Sequence, residues 1–460
     1  MNIWKPDRRS LSPPVYKSIA DQIAEAIQDG RLPDGTRLLP QRHLARDLDI
    51  SVQTVSRAYE ELSRRDLLSG KAGRGTFVKG PKTDRGPPFS LQRIPELIDL
   101  SILKPVCESV HVQRMSGALA RLSSSLPHRI VNTFRPESAA SHHRAAALQW
   151  LCECRVETSP YNVCITNGAT PALAVALMTV APPGSSVATE VLGHHSLKPL
   201  ASYMGVRLIG VEIDEQGLIP EALDRSCAEN NIRALFIQPT VINPTVTILP
   251  EERRRHIAAI AEKHDLLIVE NDALGPLITG GPPPLYSFSP ERTFYVTSFT
   301  KIVMPGLRIG YLVMPPKYIA TATNRHLVTS WMATPLMEEL ATNWVQDGIA
   351  IELVQWQREA LASRHRIFKE KLGGYPHSTH PEGLHVWMPL PEGYNEAGFV
   401  AHTRSLGVAI AAASSFLAGE NPLYPAIRIS LGSVSEEALS AGLEAIASVL
   451  AAPPEPPLWR

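Results

Sequence analysis

The N-terminal part of the chain places apolar residues with the period of short helices. In "VYKSIADQIAEAIQD" they occupy positions 15, 19, 23, 26 and 27, which is one face of an amphipathic helix. A second short helix fits Gln41–Leu48, and Ser51 is suited to cap a third helix that runs to about Arg65. The stretch "LLSGKAGRGTFVKG" then alternates strand-forming residues around a glycine-rich tip, as β-hairpins do. Three helices followed by a hairpin predict a winged helix-turn-helix over residues 1–80.

A different pattern follows a proline-rich segment. Residues 81–98, which begin "PKTDRGPPFSLQRIP", are predicted to form a linker. From residue 99 onwards, β-like apolar runs alternate with helical stretches: "YNVCI", "SSVATEV", "GVRLIGVEI", "IRALFIQPT", "LLIVEND", "RTFYVTSF" and "IGYLVM". This alternation predicts a mainly parallel sheet with helices on both faces, and the C-terminal part predicts a smaller α/β unit closed by a helix. Residues 99–460 are therefore expected to form one larger α/β region.

The composition limits the class of protein. The chain has 460 residues, of which 44% are hydrophobic and 20% charged, and this is typical of a globular protein with two or three domains. Its apolar runs are shorter than a bilayer span and it begins without the apolar core of a signal peptide, so we expect a cytoplasmic protein with no membrane contact. The five cysteines lack the spacing of metal ligands, which predicts reduced, mostly buried thiols and no metal site.

Charge is unevenly distributed along the chain. Residues 1–80 hold 14 lysines and arginines against 10 aspartates and glutamates, although the whole chain is balanced. A basic N-terminal module favours an anionic partner.

The predicted third helix carries candidates for DNA recognition. In a helix-turn-helix the first residues of the second helix of the motif enter the major groove. Gln53 suits an adenine edge, whereas arginines on the helices and cations on the wing suit the sugar–phosphate backbone. The candidates are Arg42, Ser51, Gln53, Thr54, Ser56, Arg57, Lys71 and Arg74. Any one of them could instead be an ordinary polar residue on a solvated surface.

The whole arrangement resembles the GntR family of bacterial repressors along nearly the full length of this module. The resemblance rests on "DGTRL", "QRHLA", "TVSRAY" and "GRGTFV", and it implies that the partner is a double-stranded DNA operator. One departure concerns base preference. Many members have an arginine at the second residue of the recognition helix, where this chain has Val52, which can contact a thymine methyl group but cannot bind guanine.

Lys301 lies in "SFTKIVMPGLRIG", between hydroxyl residues and an apolar run, although burying a lysine is costly. One use for such a lysine is as a Schiff-base amine with a lowered pKa. Its phosphorylated cofactor would need phosphate ligands, a carboxylate for a ring nitrogen and a donor for a phenolic oxygen. Groups of these kinds follow predicted strands: Gly168, Ala169, Thr170, Asn243, Asp272, Ser298, Thr300 and Arg308. Taken singly, each has an ordinary alternative, such as a turn or a helix cap.

Together these segments resemble the fold-type I pyridoxal-phosphate enzymes of the aspartate aminotransferase superfamily, over roughly residues 99–450. The resemblance implies that pyridoxal 5′-phosphate is the cofactor, that Lys301 forms its internal aldimine and that Asp272 pairs with its ring nitrogen. It further implies that Asn243 bonds the phenolic oxygen, that His194 stacks on the ring and that Arg428 binds a substrate carboxylate, although Arg428 could instead form a salt bridge on a strand. The phosphate would be held by Gly168, Ala169, Thr170, Ser298, Thr300 and Arg308.

A GntR-type winged helix fused to such a body is the architecture of MocR (GabR-like) transcriptional regulators, which generally form head-to-tail homodimers. This resemblance predicts a regulator that senses an amino compound by forming an external aldimine at Lys301, without physiological turnover. Three departures favour that interpretation: His194 replaces an aromatic residue, no tyrosine follows Asp272 closely, and the substrate-entry motif is only loosely matched. The alternatives are an active aminotransferase with a DNA-binding head, and a repressor whose body has lost the cofactor and serves only dimerisation.

Overall fold

The computed structural model describes residues 4–29, 31–33, 35–64, 67–71, 75–78, 97–133, 140–418 and 425–451. Its contacts divide the chain into two units, Met1–Pro95 and Glu96–Arg460. The predicted wing cation Arg74, the side chain of Lys71, and nearly all of the predicted linker lie outside the described residues. The predicted domain boundaries stay a prediction.

The first unit is a winged helix-turn-helix, as predicted. Its elements are α1 (Val15–Gln28), α2 (Gln41–Leu48), α3 (Val52–Arg64), β1 (Leu68–Lys71) and β2 (Gly75–Val78), the two strands being antiparallel. The apolar faces of the helices meet in one core. Leu68 of β1 and Val78 of β2 are also part of this core.

The start of α3 depends on Ser51. Its Oγ accepts a hydrogen bond from the backbone N–H of Thr54 at 3.1 Å, which confirms the predicted N-cap. The preceding helix ends at Asp49, whose left-handed φ of 52° turns the chain before Ser51. Residues Val52 and Gln53, which follow the cap, are exposed, so the first turn of α3 is presented to solvent.

The larger unit alternates strands and helices throughout. Its strands are β3 (Ile98–Asp99), β4 (Val163–Thr166), β5 (Ser186–Glu190), β6 (Arg207–Val211), β7 (Ile213–Asp214), β8 (Gly217–Leu218), β9 (Ile232–Ile237), β10 (Leu267–Asn271), β11 (Thr293–Ser298), β12 (Gly310–Val313), β13 (Ser378–Thr379), β14 (His385–Pro389), β15 (Val408–Ala409), β16 (Ala411–Ala412) and β17 (Ala426–Ser430). Its helices are α4 (Ser109–Ser124), α5 (His128–Asn132), α6 (Ala140–Glu153), α7 (Ala169–Val180), α8 (Leu197–Tyr203), α9 (Pro220–Glu229), α10 (Glu251–Lys263), α11 (Ile319–Ser330), α12 (Pro335–Gln346), α13 (Ile349–Leu372), α14 (Glu396–Ser405) and α15 (Glu436–Ala451).

The main sheet contains every β-like run predicted from the sequence. Among the described residues its strand order is β4-β12-β11-β10-β9-β5-β6, and all neighbours are parallel except at β12, which is antiparallel to both β11 and β4. The central strands are buried because helices cover both faces of the sheet, which explains why their sequences are almost continuously apolar. The prediction of a mainly parallel α/β sheet is confirmed.

The main sheet determines where polar groups can gather. In open α/β sheets, ligands bind beyond the carboxyl ends of the strands. Here β9 leads to Gln238 and Asn243, β10 leads to Asp272, and β11 leads to Ser298 and Lys301. These side chains therefore start from one edge of the sheet, although they are far apart in sequence.

A second, smaller sheet forms the predicted C-terminal α/β part, with strand order β13-β14-β17-β16 in the described chain. It packs with α13, α14 and α15 around a core that includes Phe368, Ile427 and Leu443. Arg428 lies on its buried strand β17.

Two expectations from composition can be compared with the structure. No helix within the described ranges is both long and apolar enough to cross a membrane. The five cysteines are free, as expected, but the prediction that most are buried is wrong: Cys107 and Cys152 are exposed and only Cys154 is fully buried. Cys107 lies in irregular structure before α4 and Cys152 lies on α6, and both face solvent although cysteine is usually a buried residue.

Candidate functional site

The loop before α7 has a backbone shape that requires glycine. Gly168 precedes the helix at φ +91°, a conformation that residues with a Cβ rarely adopt. The hydroxyl of Thr166 donates to the carbonyl of Gly168 at 2.9 Å and so fixes the loop. The first N–H groups of α7, from Ala169 and Thr170 onward, have no partner within the helix and form an anion-binding end.

Two further phosphate candidates converge on this helix end. A Cβ at Gly168 would lie 3.1 Å from Nη2 of Arg308 and 3.4 Å from Oγ1 of Thr300, so a side chain at that position would occupy the space between them. Arg308 itself has a left-handed φ of 49°, is exposed, and donates to the carbonyl of Asn167 at 3.2 Å. The sequence separates Gly168 from Arg308 widely, and the sheet brings them together.

Buried hydroxyls complete this group. Neither Oγ of Ser298 nor Oγ1 of Thr300 has a hydrogen-bond partner among the described residues, and both atoms are shielded from solvent. Burying a hydroxyl without a partner costs about 1–3 kcal/mol in proteins. A phosphate placed at the α7 N-terminus would give both hydroxyls, the helix N–H groups and Arg308 an acceptor. The residues therefore fit a phosphorylated ligand.

Asp272 has one satisfied and one unsatisfied oxygen. The phenol of Tyr295 donates to its Oδ2 at 3.0 Å, whereas Oδ1 is buried and has no partner in the described part of the chain. A Cβ at Gly275 would lie 2.1 Å from Oδ2, so any side chain there would overlap the carboxylate. The carboxylate thus has a free acceptor that fits a protonated ring nitrogen.

Tyr295 was not predicted from the sequence. Burial, and next the charge of its partner Asp272, raise the pKa of the Tyr295 phenol well above its ordinary value, so it remains a donor at every physiological pH. The alternation of β11 carries the relevant signal, because Tyr295 and Thr297 lie on the same face of a strand that is buried throughout. A hydroxyl residue in that pattern needs a polar partner in the interior.

Lys301 is held by the backbone of a distant segment. Its Nζ donates to the carbonyl of Leu103. Burial, together with the positive charges of Arg428 and Arg308, lowers the pKa of the amine to about 8. Lys301 thereby has the property that the Schiff-base interpretation required.

Arg428 and Asn243 form a buried pair. Nη1 of Arg428 donates to Oδ1 of Asn243 at 2.9 Å, and Nη2 donates to the carbonyl of Ser101. The guanidinium also lies over the ring of Phe416, 5.1 Å from its centroid. Its Nε is buried without a hydrogen-bond partner among the described residues, which leaves one donor available.

His194 lies near these cations but makes its own contacts. Its ring stacks on His195 at 4.9 Å, and its Nδ1 lies 2.8 Å from Oγ of Ser196. Burial lowers the pKa of His194 well below its ordinary value, with further contributions from His195 and Lys301, so the ring is neutral. A neutral imidazole can stack on an aromatic ligand, which is the role that the sequence resemblance implies.

A cavity of about 380 Å³ borders the other side of Asp272. Its walls include Gly275, Thr240 and the loop 275–284, and Arg155 and Arg358 lie at its margin. Both arginines donate to backbone carbonyls of that loop, at 2.8–3.0 Å. The cavity is separate from the residues that surround Lys301.

In the first unit, the described residues predicted to contact DNA lie on α2 (Arg42), at the start of α3 (Ser51, Gln53, Thr54) and further along α3 (Ser56, Arg57). Ser51 and Thr54 hydrogen-bond each other through their hydroxyls at 2.8 Å, and Ser56 donates to Glu60 at 3.2 Å. Arg42 and Gln53 are exposed. Arg57 is exposed too, with its guanidinium 5.6 Å from the ring centroid of Tyr16. Their roles in DNA binding stay predictions.

Comparison with known proteins gives two matching family models. Residues 113–446 match aminotransferase class I and II, and residues 15–78 match bacterial regulatory proteins of the gntR family. The uncharacterized HTH-type transcriptional regulator YdeF of Bacillus subtilis is 29% identical over 93% of this chain and 92% of its own length. The pyridoxine biosynthesis transcriptional regulator PdxR of Corynebacterium glutamicum is 27% identical over 79% of this chain and 80% of its own length.

A solved structure supports the fold of the larger unit. The crystal structure of an archaeal alanine:glyoxylate aminotransferase superimposes with a TM-score of 0.70 over 77% of this chain and 90% of its own, at 21% identity.

The contact between Tyr295 and Asp272 leads to a testable prediction. Tyr295→Phe removes a hydrogen bond to a buried carboxylate, so we expect the free energy of unfolding to fall by about 1.5–3 kcal/mol. Denaturant titration of the full chain measures it. The same substitution in an Asp272→Asn background should cost clearly less, and equal costs in the two backgrounds would show that the contact contributes nothing.

Proposed function

Because this chain belongs to the aminotransferase class I and II family and carries a gntR-family domain ahead of that region, we propose that it is a PLP-dependent transcriptional regulator of the MocR type. In this proposal the first unit binds operator DNA and the larger unit binds pyridoxal phosphate and an amino compound. The observation that carries it is the presence, in one chain, of a winged helix and of a partly buried lysine beside an anion cradle formed by Ser298, Thr300, Arg308 and the α7 N-terminus. The relatives named as HTH-type transcriptional regulators support the same assignment.

The family is PLP-dependent, and the residues of this chain fit that cofactor. We infer that Ser298, Thr300, Arg308 and the α7 N-terminus hold its phosphate, and that Asp272, oriented by Tyr295, accepts from its ring nitrogen. When bound, the cofactor supplies an aldehyde carbon that exchanges one amine for another.

Lys301 is suited to take part in such an exchange. An amine reacts as a nucleophile only in its neutral form, and a pKa of about 8 leaves a useful neutral fraction at physiological pH. Arg428 and Arg308 keep the pKa low because a second and third positive charge disfavour the ammonium form. The carbonyl of Leu103 holds the amine in place until a ligand competes for it.

Arg428 favours an effector that carries both an amine and an acid group. A guanidinium binds a carboxylate with two parallel hydrogen bonds, and the unpartnered Nε gives this one a donor to offer. An acid group on Arg428 would have to replace the carbonyl of Ser101, which now accepts from Nη2. Effector binding is therefore expected to release the backbone at Ser101 and Leu103 together.

The space next to Asp272, at Gly275, favours a regulator over an enzyme with catalytic turnover. Aminotransferase chemistry needs several groups held in place through two half-reactions. At Gly275 the carboxylate of Asp272 leaves no space for a side chain, so no hydroxyl can be supplied from that position. We further propose that the protein is a cytoplasmic homodimer, since paired recognition helices match paired DNA half-sites.

The lowered pKa of Lys301 gives a prediction about cofactor binding. The rate at which cofactor-free protein takes up added pyridoxal phosphate should rise with pH through about 8, not through the ordinary lysine value of 10.5, because the neutral amine is the reactive form. Stopped-flow visible absorbance measures this rate. Lys301→Ala should develop no such absorbance, whereas Lys104→Ala should behave like the wild type. Colour in Lys301→Ala would overturn the assignment of the anchor.

The exposure of Arg42 gives a prediction about DNA binding. Arg42→Ala should weaken binding to a duplex that the wild-type protein selects from a random pool. It should also reduce the slope of log affinity against log salt by about 1, because one phosphate contact is lost. Fluorescence anisotropy at several salt concentrations measures both. Arg31→Ala is the matched control, since Arg31 is paired with Asp29 at 2.5 Å and should not reach the backbone of DNA. An unchanged slope in Arg42→Ala would exclude the phosphate contact.

A turnover assay distinguishes the proposed regulator from the alternative, an active aminotransferase. With excess amino donor and keto acid, the cofactor-loaded protein should convert at most about one equivalent per subunit, because position 275 supplies no hydroxyl to hold the cofactor through two half-reactions. Product formation followed over many equivalents measures this. Sustained turnover at an ordinary enzymatic rate would make the chain an enzyme with a DNA-binding head.

A further inference from the structure

A cluster of polar side chains lies on helices α6 and α12, away from Lys301 and the phosphate cradle. His142 and His143 are adjacent on α6, and Glu339 lies on α12. His143 and Glu339 are almost fully buried, with 3% and 5% of their side chains exposed, whereas His142 is 35% exposed. Burying a carboxylate between two helices requires that its charge be balanced.

The three side chains direct one ligand atom each at a common point. Nε2 of His142 lies 3.4 Å from Oε2 of Glu339, and Nε2 of His143 lies 3.7 Å from the same oxygen. The three ligand atoms all lie within 4.8 Å of one another. Tetrahedral zinc with bonds of about 2.0–2.2 Å separates its ligand atoms by about 3.3–3.6 Å. The observed separations from Oε2 are therefore close to those around a bound ion.

The hydrogen bonding of the histidines leaves their Nε2 atoms available to an ion. Nδ1 of His143 lies 2.7 Å from the buried hydroxyl of Thr342, and a ring that donates from Nδ1 presents the lone pair of Nε2 towards Glu339. Nε2 of His142 is shielded from solvent and makes no hydrogen bond within the described part of the chain.

We propose that His142, His143 and Glu339 bind a divalent transition-metal ion of the zinc or cobalt type, which links α6 to α12. Two imidazole nitrogens and one carboxylate oxygen are a donor set that these ions prefer. The sequence did not predict this site because its carboxylate lies on a different helix from the histidine pair.

Arg129 competes with the metal ion for Glu339. Its Nη2 donates to Oε1 at 2.7 Å and its Nε donates to Oε2 at 3.1 Å, so the guanidinium neutralises the carboxylate when no ion is bound. Because 40% of the Arg129 side chain is exposed, it can withdraw into solvent when a metal ion takes its place. Removing this positive charge should therefore strengthen metal binding, which no simple salt-bridge network would predict.

The test uses the full chain, purified without a histidine tag and stripped with chelator. Isothermal titration with Zn²⁺ and the visible difference spectrum of added Co²⁺ measure affinity, stoichiometry and coordination. We expect one ion per chain, a thermal midpoint that rises with metal concentration, and a Co²⁺ spectrum typical of four-coordinate nitrogen and oxygen ligands.

Matched variants separate a metal site from a structural network. His142→Gln and His143→Gln should each weaken binding by at least about 10- to 100-fold, and Thr342→Val by about tenfold, because it removes the partner that orients His143. Arg129→Gln should bind more tightly than the wild type, and His128→Gln, an exposed histidine outside the cluster, should be unchanged. His142 is partly exposed, so its variant is expected to fold even if the His143 variant does not.

Equal affinity and stoichiometry in the wild type and His142→Gln would overturn the proposal, as would weaker binding in Arg129→Gln.

Discussion

The larger unit holds two cations close enough to repel each other: Lys301, which follows β11 of the main sheet, and Arg428, on β17 of the second sheet. Lys301 and Arg428 both lie in a region from which water is largely excluded, and each would be too costly to bury alone. Burial lowers the pKa of Arg428 to about 10 and that of Lys301 to about 8. Their charges are met by neutral oxygens, from Asn243 and from the backbone at Ser101 and Leu103. The site is therefore positively charged and poorly compensated by its own protein.

An incompletely compensated site prefers anionic ligands. The hydroxyls of Ser298 and Thr300 and the exposed guanidinium of Arg308 extend the same positive region to the N-terminus of α7. A phosphate at that end and a carboxylate at Arg428 would supply the negative charge that the fold does not. Asp272 is the one acidic residue among these groups. Its oxygen without a partner among the described residues suits a cation, namely the protonated nitrogen of a pyridine ring.

The helices and strands of the protein can be predicted from its sequence more completely than the side-chain contacts of the site. Periodicity was sufficient for the winged helix and for every strand of the main sheet, because the core requires an apolar face on each. The order of Gly168, Asn243, Asp272, Lys301 and Arg308 along the chain was sufficient for the family resemblance. Tyr295 and the carbonyls of Ser101 and Leu103 were missed, since a backbone acceptor leaves no trace in residue identity. The pairing of His142 and His143 with Glu339 was missed because only the packing of α6 on α12 creates it.

The short segment that contains Ser101 and Leu103 couples the two buried cations. Its carbonyls accept from Arg428 and Lys301 at positions two residues apart, so one short stretch of backbone contacts both cations. A ligand that takes only the amine would leave Arg428 still bound to Ser101, whereas a ligand with both an amine and an acid group would free the whole segment. The same segment continues directly from the strand Ile98–Asp99, which pairs with Val408–Ala409. Only an amino acid would replace both contacts at once. The position of this segment would therefore differ between a bound amino acid and a bound simple amine.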